Sequence, residues 1–391
     1  MYRVIFYCPD RHIVYDGRMP IERGVGGGVT SRVRMAAALA KLGHDVTAVV
    51  NCPRPEVIDK VRYVPLGHSA ELTGDVLIAN TSGGAYDLSP LENRVLDVGL
   101  RIVWVSGTDR PGGLETIGAN FIYPKSNFLN EIVRDQWGMA RVRRFVAYNG
   151  FDEDLFLAAE KDPPRRDHHR MVYFSHPSKG LATSLGVLRV LRRTDRRFHL
   201  DVFGGESLWG GVPTAPLSDE AVRDFGLVGQ GELARELLAS GYSLILQSRQ
   251  EPFGMVVTES QRAGLVVLAS PVGAYPELVQ HGRNGFLVPG DPQSEETWAE
   301  AASLILELRD RPDEEQKIRE TARQVPWSAG LMARVWTEHW DWWFGRREPT
   351  QGESCRVCGG AVLRTIDGTH CLECGVYQAH QPVPEAGLSD G

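Results

Sequence analysis

Short runs of consecutive apolar residues alternate, over most of the chain, with longer stretches whose apolar positions recur every three or four residues. Arg3–Cys8 (RVIFYC) reads as a buried strand, followed by strand candidates at Asp45–Val50, Val61–Pro65, Asp75–Ala79, Arg101–Val105, Phe121–Tyr123 and Phe145–Ala147. Between the first two lie a loop carrying Gly24, Gly26, Gly27 and Gly28 and an Ala-rich helical pattern, Val29–Leu42. Strand, glycine loop, helix, strand is the opening of a doubly wound α/β domain. Asn149-Gly150 signals a turn, and the charged, Pro-bearing stretch 160–170 marks a domain boundary. The alternation then repeats, with strands at Met171–Phe174, His199–Phe203, Leu244–Gln247 and Val266–Ala269 and helices at Leu181–Arg192 and Glu232–Ser240. Residues 295–344 read as helical, broken at Pro312 and Pro326. Trp327, Trp336, Trp340, Trp342 and Trp343 crowd its last segment, and packing across both domains would cover them. The expected architecture is α/β: two Rossmann-like domains facing a cleft. Residues 1–150, completed by a helix at 327–345, form the first; residues 151–326 form the second; 351–380 form a small C-terminal module.

Composition narrows the class. The 391 residues leave room for two or three domains, and 24% charged with 42% hydrophobic residues is ordinary for a soluble globular chain. A net charge of -7 argues against nucleic acid as a partner. No apolar run approaches membrane-spanning length, and Tyr2–Cys8 is a short strand rather than a signal sequence. Of six cysteines, four form two C-x-x-C pairs and Cys8 and Cys52 remain as free thiols. That usage suits a reducing compartment, so a cytoplasmic location is expected.

The chemistry concentrates in Glu251–Glu259, EPFGMVVTE. An apolar strand candidate, Ser243–Gln247, ends in this polar loop, Pro252 and Gly254 punctuate it, and a helix begins near Val256. Such a loop lies at the carboxyl end of a strand, where open α/β sheets bind ligands. The amides of Gly254, Met255 and Val256 are the helix's unpaired donors, suited to a phosphate oxygen. Two carboxylates beside an anion would repel it, so Glu251 and Glu259 fit neutral sugar hydroxyls. Phosphate at one end and polyol at the other describes a nucleotide sugar. The plain alternative is two solvated glutamates at a helix start.

Other features are weaker singly. The glycine loop misses the dinucleotide fingerprint, since Val29 occupies the final glycine position; its backbone can still approach a phosphate or sugar, or be a plain surface loop. Lys179-Gly180 lies between a strand and its helix, where lysine reaches a phosphate as a point charge. Asp152 and Asp154 spell D-x-D, read as solvated linker charge, and Arg189, Arg192, Arg193, Arg196 and Arg197 read as a solvated helix face. The tail is the most specific motif. Cys355-x-x-Cys358 and Cys371-x-x-Cys374, each followed by glycine, can present four thiolates tetrahedrally to a structural zinc, with rubredoxin-type iron or disulfides as alternatives. Joined by a polar linker, 345–354, it is expected to be a separate module that docks a partner, an acceptor carrier or a second subunit.

Gly27-Gly28-Val29, Asn149-Gly150-Phe151-Asp152, Lys179-Gly180 and EPFGMVVTE occur in that order. LVGQGELARELL and AGLVVLASPVGAYPELVQHGRNGFLVPGD follow suit, and together they make the chain resemble the GT-B glycosyltransferases of family 4 over residues 1 to 345. The resemblance implies retaining transfer of a hexosyl group from a UDP- or GDP-linked donor to a sugar, lipid-linked or small-molecule acceptor, with no catalytic metal. It implies that Glu251 contacts the donor sugar and Glu259 the ribose, and that the Phe253–Val256 backbone holds sugar and phosphate. Lys179 would neutralise the diphosphate, Gly27 and Gly28 would close on the donor, and Ser175 and Val228 would line its site. Two departures stand out. FSHPSKG has Ser175 and His176 where the family often has arginine. Ser106, Gly107 and Thr108 stand where a histidine often follows the strand, which leaves Ser106 and Asp109 as the acceptor-side candidates. A GT-B phosphorylase, a nucleotide-sugar epimerase, or an inactive fold acting as a zinc-ribbon adaptor are the competing readings.

Overall fold

The computed structural model describes residues 1–68, 70–212, 217 and 219–379. Two sheets are built from the apolar runs. The first has the order β3-β4-β2-β1-β5-β6-β7, from Arg3–Tyr7 (β1), Asp45–Val50 (β2), Glu56–Ile58 (β3), Val61–Pro65 (β4), Glu71–Ala79 (β5), Val95–Trp104 (β6) and Phe121–Tyr123 (β7). All its pairings are parallel except β3 with β4. The second is wholly parallel, ordered β10-β9-β8-β11-β12-β13. Its strands are Asp167–Ser175 (β8), His199–Gly204 (β9), Val222–Gly226 (β10), Ser240–Ile245 (β11), Val266–Ala269 (β12) and Phe286–Leu287 (β13). In each sheet the order reverses beside the first strand, between β1 and β5 and between β8 and β11. Adjacent loops there leave in opposite directions and open a crevice.

Helices cover both faces of each sheet, as continuous apolar strands require. One face of the first sheet takes the helix Gly27–Lys41 and the helix Ala329–Trp343, which returns from the far end of the chain. Expected packing of the tryptophan helix across both domains is corrected here. Trp336 and Trp340 are wholly buried on the first domain, with the Trp336 ring 5.0 Å from Trp104 and 5.3 Å from Tyr123, and the Trp340 ring 5.9 Å from Tyr2. Phe145–Ala147 is also not a ladder strand. It is an extended segment whose amides bond in turn to Ile122 O, Gly375 O and Pro124 O, at 3.0, 3.2 and 2.8 Å. The strand Val222–Gly226 (VRDFG) escapes the apolar pattern because it is an edge strand with mostly exposed side chains.

Asp152 of the D-x-D pair accepts a hydrogen bond from the Asp154 amide at 3.2 Å and caps the helix Glu153–Glu160, while Asp154 pairs with Lys41 at 2.6 Å. Among the arginines of the second domain, Arg197 pairs with Asp195 and Arg192 with Glu220. Among the described residues no helix is long and apolar enough to cross a membrane.

The tail folds into three antiparallel strands, Val362–Arg364 (β14), Gly368–Cys371 (β15) and Tyr377–Ala379 (β16); the last residue expected of it, His380, lies outside the described residues. Rather than hanging free on its linker, it is seated on the first domain. The amide side chain of Asn127 exchanges two bonds of 2.9 Å with the backbone of Tyr377, and Asn130 Nδ2 donates to Cys374 O at 3.1 Å. His370 stacks on Phe145 at 4.3 Å, and Tyr377 meets Tyr148 at 4.8 Å.

Candidate active site

Both order reversals open toward each other. Between them lies a cleft of about 350 Å³, and every cleft residue proposed from sequence lines it: Glu251, Lys179, Gly27, Gly28, Ser175, Val228, Phe253–Val256, Glu259, Ser106 and Asp109. The four cysteines gather elsewhere, in the tail.

On the second domain, Ser175 ends β8 and Lys179 ends the short turn Pro177–Lys179. Gly180 follows with φ +105, and a Cβ there would stand 2.0 Å from Leu246 O; only glycine lets the two loops meet. Lys179 Nζ donates to Glu251 Oε2 at 2.7 Å, in a pair with 23% and 15% of the side chains exposed. The Trp209 indole gathers three further groups. His176 stacks on it at 3.7 Å, and Lys179 Nζ and the Arg249 guanidinium lie 5.7 and 5.4 Å from its centroid. Burial lowers the His176 pKa, opposed by Glu206 at 2.9 Å. Arg249 and Trp209 were not singled out from sequence, because neither belongs to a local motif.

Gly254 starts the helix Met255–Arg262 with φ +100, and no side chain caps the helix. Its first-turn amides therefore face the cleft unclaimed by a capping side chain. Ser126 Oγ, from the first domain, donates to Pro252 O at 2.6 Å. Glu259 lines the cleft from within an ion pair. It is buried, and Arg34 Nη1 from the helix Gly27–Lys41 donates to its Oε1 at 2.6 Å, joining the two domains; Arg34 also bonds Gln230. The available signal was a pair of arginines, Arg32 and Arg34, in an Ala-rich helix, SRVRMAAALAK.

From the first domain the glycine loop closes over these groups. Gly24 has φ +72, and a Cβ there would meet Val228 O at 2.2 Å. Gly26 N donates to Leu208 O at 3.0 Å, and Gly27 lies opposite the Met255 side chain. Deeper in the wall, Ser106 Oγ accepts from Asn80 Nδ2 at 2.7 Å and from Lys125 Nζ at 2.9 Å, while Asp109 is exposed at the rim. Lys125 is 3% exposed, and its Nζ sits 4.1 Å from the Trp104 centroid. Burial pushes its pKa well below the ordinary value. It follows β7 by two residues, where a lone loop lysine carries no sequence signal.

In the tail the four thiols lie within 4.8 Å of one another, with Cys355–Cys374 at 3.7 Å and Cys358–Cys371 at 3.5 Å between sulfurs. Those edges are far from a disulfide bond and near the roughly 3.8 Å expected when four thiolates sit about 2.3 Å from a tetrahedral zinc. Backbone amides of Val357, Gly360, Glu373 and Cys374 point at the sulfurs at 3.3–3.4 Å, which favours thiolates. The cluster can hold a metal.

Residues 176–325 match the family model described as glycosyl transferases group 1. D-inositol 3-phosphate glycosyltransferase of Streptomyces scabiei is 36% identical over 116 residues, 29% of this chain and only 22% of that relative's length. Alpha-maltose-1-phosphate synthase of Mycolicibacterium smegmatis is 27% identical over 304 residues, 71% of this chain and 76% of the relative. Among solved structures, sucrose-phosphate synthase from Thermosynechococcus elongatus superposes with a TM-score of 0.64 at 16% identity, covering 88% of this chain and 100% of that one. HepE from Anabaena in complex with UDP-glucose gives 0.58 at 16% identity, over 87% and 100%. At these identities the structures establish the two-domain GT-B fold, while the family match and the relatives' names support a transferase enzyme.

Proposed function

We propose that this chain transfers a glycosyl group from a nucleoside-diphosphate sugar to a hydroxyl acceptor, retaining the anomeric configuration and using no metal in the chemical step. One observation carries the reading. A cation, a carboxylate and an uncapped helix N-terminus converge in one cleft: Lys179 and Glu251 at 2.7 Å, beside Gly254–Val256. The helix amides and Lys179, with Arg249 nearby, suit a diphosphate, as does the UDP-glucose bound by the neighbour HepE. Glu251 suits the hydroxyls of the sugar and Glu259 those of the ribose.

In this reading the bond between the anomeric carbon and the diphosphate oxygen breaks as the acceptor oxygen bonds that carbon on the same face. The acceptor proton passes to the departing phosphate oxygen, and cationic and amide donors stabilise the charge it gathers. The tail holds a structural zinc through Cys355, Cys358, Cys371 and Cys374. Four protein ligands leave no open position, so the ion supplies shape rather than chemistry.

Thermal unfolding against a panel of nucleotide sugars tests the reading, since a bound donor raises the midpoint. The hit is then incubated with acceptors and the anomeric product assigned by NMR. Release of a sugar 1-phosphate with inorganic phosphate, or epimerised donor without acceptor, would replace transfer with one of the rival reactions. A panel with no hit would reject the reading.

A further inference from the structure

The first-domain wall of the cleft holds a buried lysine with no ion-pair partner; Glu251 acts on it through space but is itself paired with Lys179. Lys125 Nζ donates to Ser106 Oγ at 2.9 Å and to Ser31 Oγ at 3.3 Å, and otherwise faces the Trp104 ring. Among the described residues no carboxylate lies within 4.0 Å of it. Nearby acids are committed elsewhere. Asp10 accepts from Thr81 Oγ1 and the Ser82 amide at 2.5 and 2.9 Å, Glu251 pairs with Lys179, and Asp109 is exposed at the rim.

Both lone pairs of Ser106 Oγ are taken, by Asn80 and by Lys125, so its own proton has to be donated outward. Charged Lys125 spends two protons on Ser106 and Ser31, whose own hydroxyl donates to Gly28 O, and turns the third toward the Trp104 ring, with no anionic acceptor among them. Next to them, Arg32 Nη1 holds Ser82 Oγ at 3.1 Å, and its Nη2 is buried with no partner. The wall therefore offers donors and positive charge in excess. A neutral polyol can accept these hydrogen bonds, yet only an anion also stabilises the charged form of a lysine that burial disfavours.

We infer that Lys125 and Ser106 form an anion subsite, and that the acceptor substrate carries a carboxylate or phosphate monoester bound there. The inference rests on the glycosyl-transfer reading, which already gives the donor diphosphate to Lys179, Arg249 and the helix N-terminus on the opposite wall. An anion reaching Lys125 comes from the acceptor or from a uronate carried by the donor sugar.

The test separates these sources. Wild-type protein is saturated with UDP, which occupies the opposite wall, and titrated by calorimetry with glucose, glucose 6-phosphate and glucuronate. Both anions are expected to bind at least tenfold tighter than glucose. K125M should lose that preference while binding UDP as the wild type does, and K125R should keep it. In transfer assays with UDP-glucose and with UDP-glucuronate as donors, K125M should raise KM for anionic acceptors at least tenfold more than for neutral ones; a defect confined to UDP-glucuronate as donor would move the anion to the donor and overturn the acceptor assignment. Wild-type protein that takes UDP but binds the two anions no better than glucose also overturns the inference, whether or not K125M folds. Failure to bind UDP at all would instead strike the transferase reading.

Discussion

Replacing Glu251 by glutamine should pull donor binding and transfer in opposite directions. Lys179 and Glu251 are 2.7 Å apart, so an arriving diphosphate has to take the lysine from the carboxylate. Two unit charges about 4 Å apart attract by about 4 kcal/mol at an effective dielectric of about 20. This pair is partly wetted, at 23% and 15% side-chain exposure, and pairs in such settings contribute about 1 kcal/mol. Glu251→Gln keeps the shape and removes the competing charge, so UDP should bind about fivefold tighter. Transfer should move the other way. Losing one charge-assisted hydrogen bond to the sugar costs about 1.5–3 kcal/mol, a rate roughly ten- to a hundredfold lower. Calorimetry with UDP and initial rates with the nucleotide sugar measure the two halves on one protein. An unchanged Kd for UDP would refute the exchange of partners, and an unchanged rate would remove Glu251 from the sugar site.

Four further outcomes are expected. Lys179→Ala should weaken UDP binding at least about tenfold by calorimetry, the loss of a charge-assisted contact to phosphate. Arg34→Met strands the buried Glu259 carboxylate and should cost about 3–5 kcal/mol in urea denaturation, most of it recovered in the double variant Arg34→Met/Glu259→Leu. Metal analysis should find about one zinc per chain, and Cys371→Ser should lose it and lower the unfolding midpoint, because Cys374 O and Tyr377 anchor Asn130 and Asn127 of the first domain. His339 is wholly buried against Phe145 and its pKa is held well below the ordinary value by burial. The unfolded chain therefore takes up a proton below about pH 6.5 that the folded chain refuses, so stability is full above that pH and falls below it; unfolding midpoints from pH 7.5 to 5 should show this, with a shallower slope in His339→Gln.

What sequence could reveal follows the range of the interactions. Alternating apolar runs announce strands and helices because each run is local, and EPFGMVVTE announces a loop and helix start for the same reason. The C-x-x-C pairs carry their geometry within a few residues. Pairings between distant segments leave no local trace. Arg34 meets Glu259 across 225 positions and Asn127 meets Tyr377 across 250, so neither the Glu259 ion pair nor the seated tail was legible. Lys125 was missed because its role comes from burial, which only the assembled β7, Trp104 and Ser106 create. The tryptophan helix was placed on too much surface because periodicity shows that a face is buried without showing against what.

The return of the chain to its first domain has a consequence for how the protein is made. Phe6, Trp104 and Tyr123 are complete in the nascent chain long before Trp336 and Trp340 exist, and Phe145 and Tyr148 wait longer still for His370 and Tyr377. On the ribosome, at about 5–20 residues per second, that aromatic face stays uncovered for roughly ten seconds or more while some two hundred further residues are added. The second domain, whose strands run from Asp167 to Leu287, can close its own sheet in that interval. Domain order in the finished molecule is thus the reverse of the order of completion: the half that begins the chain is the last to be sealed. Until then its tryptophan-lined surface is open to the wrong partner.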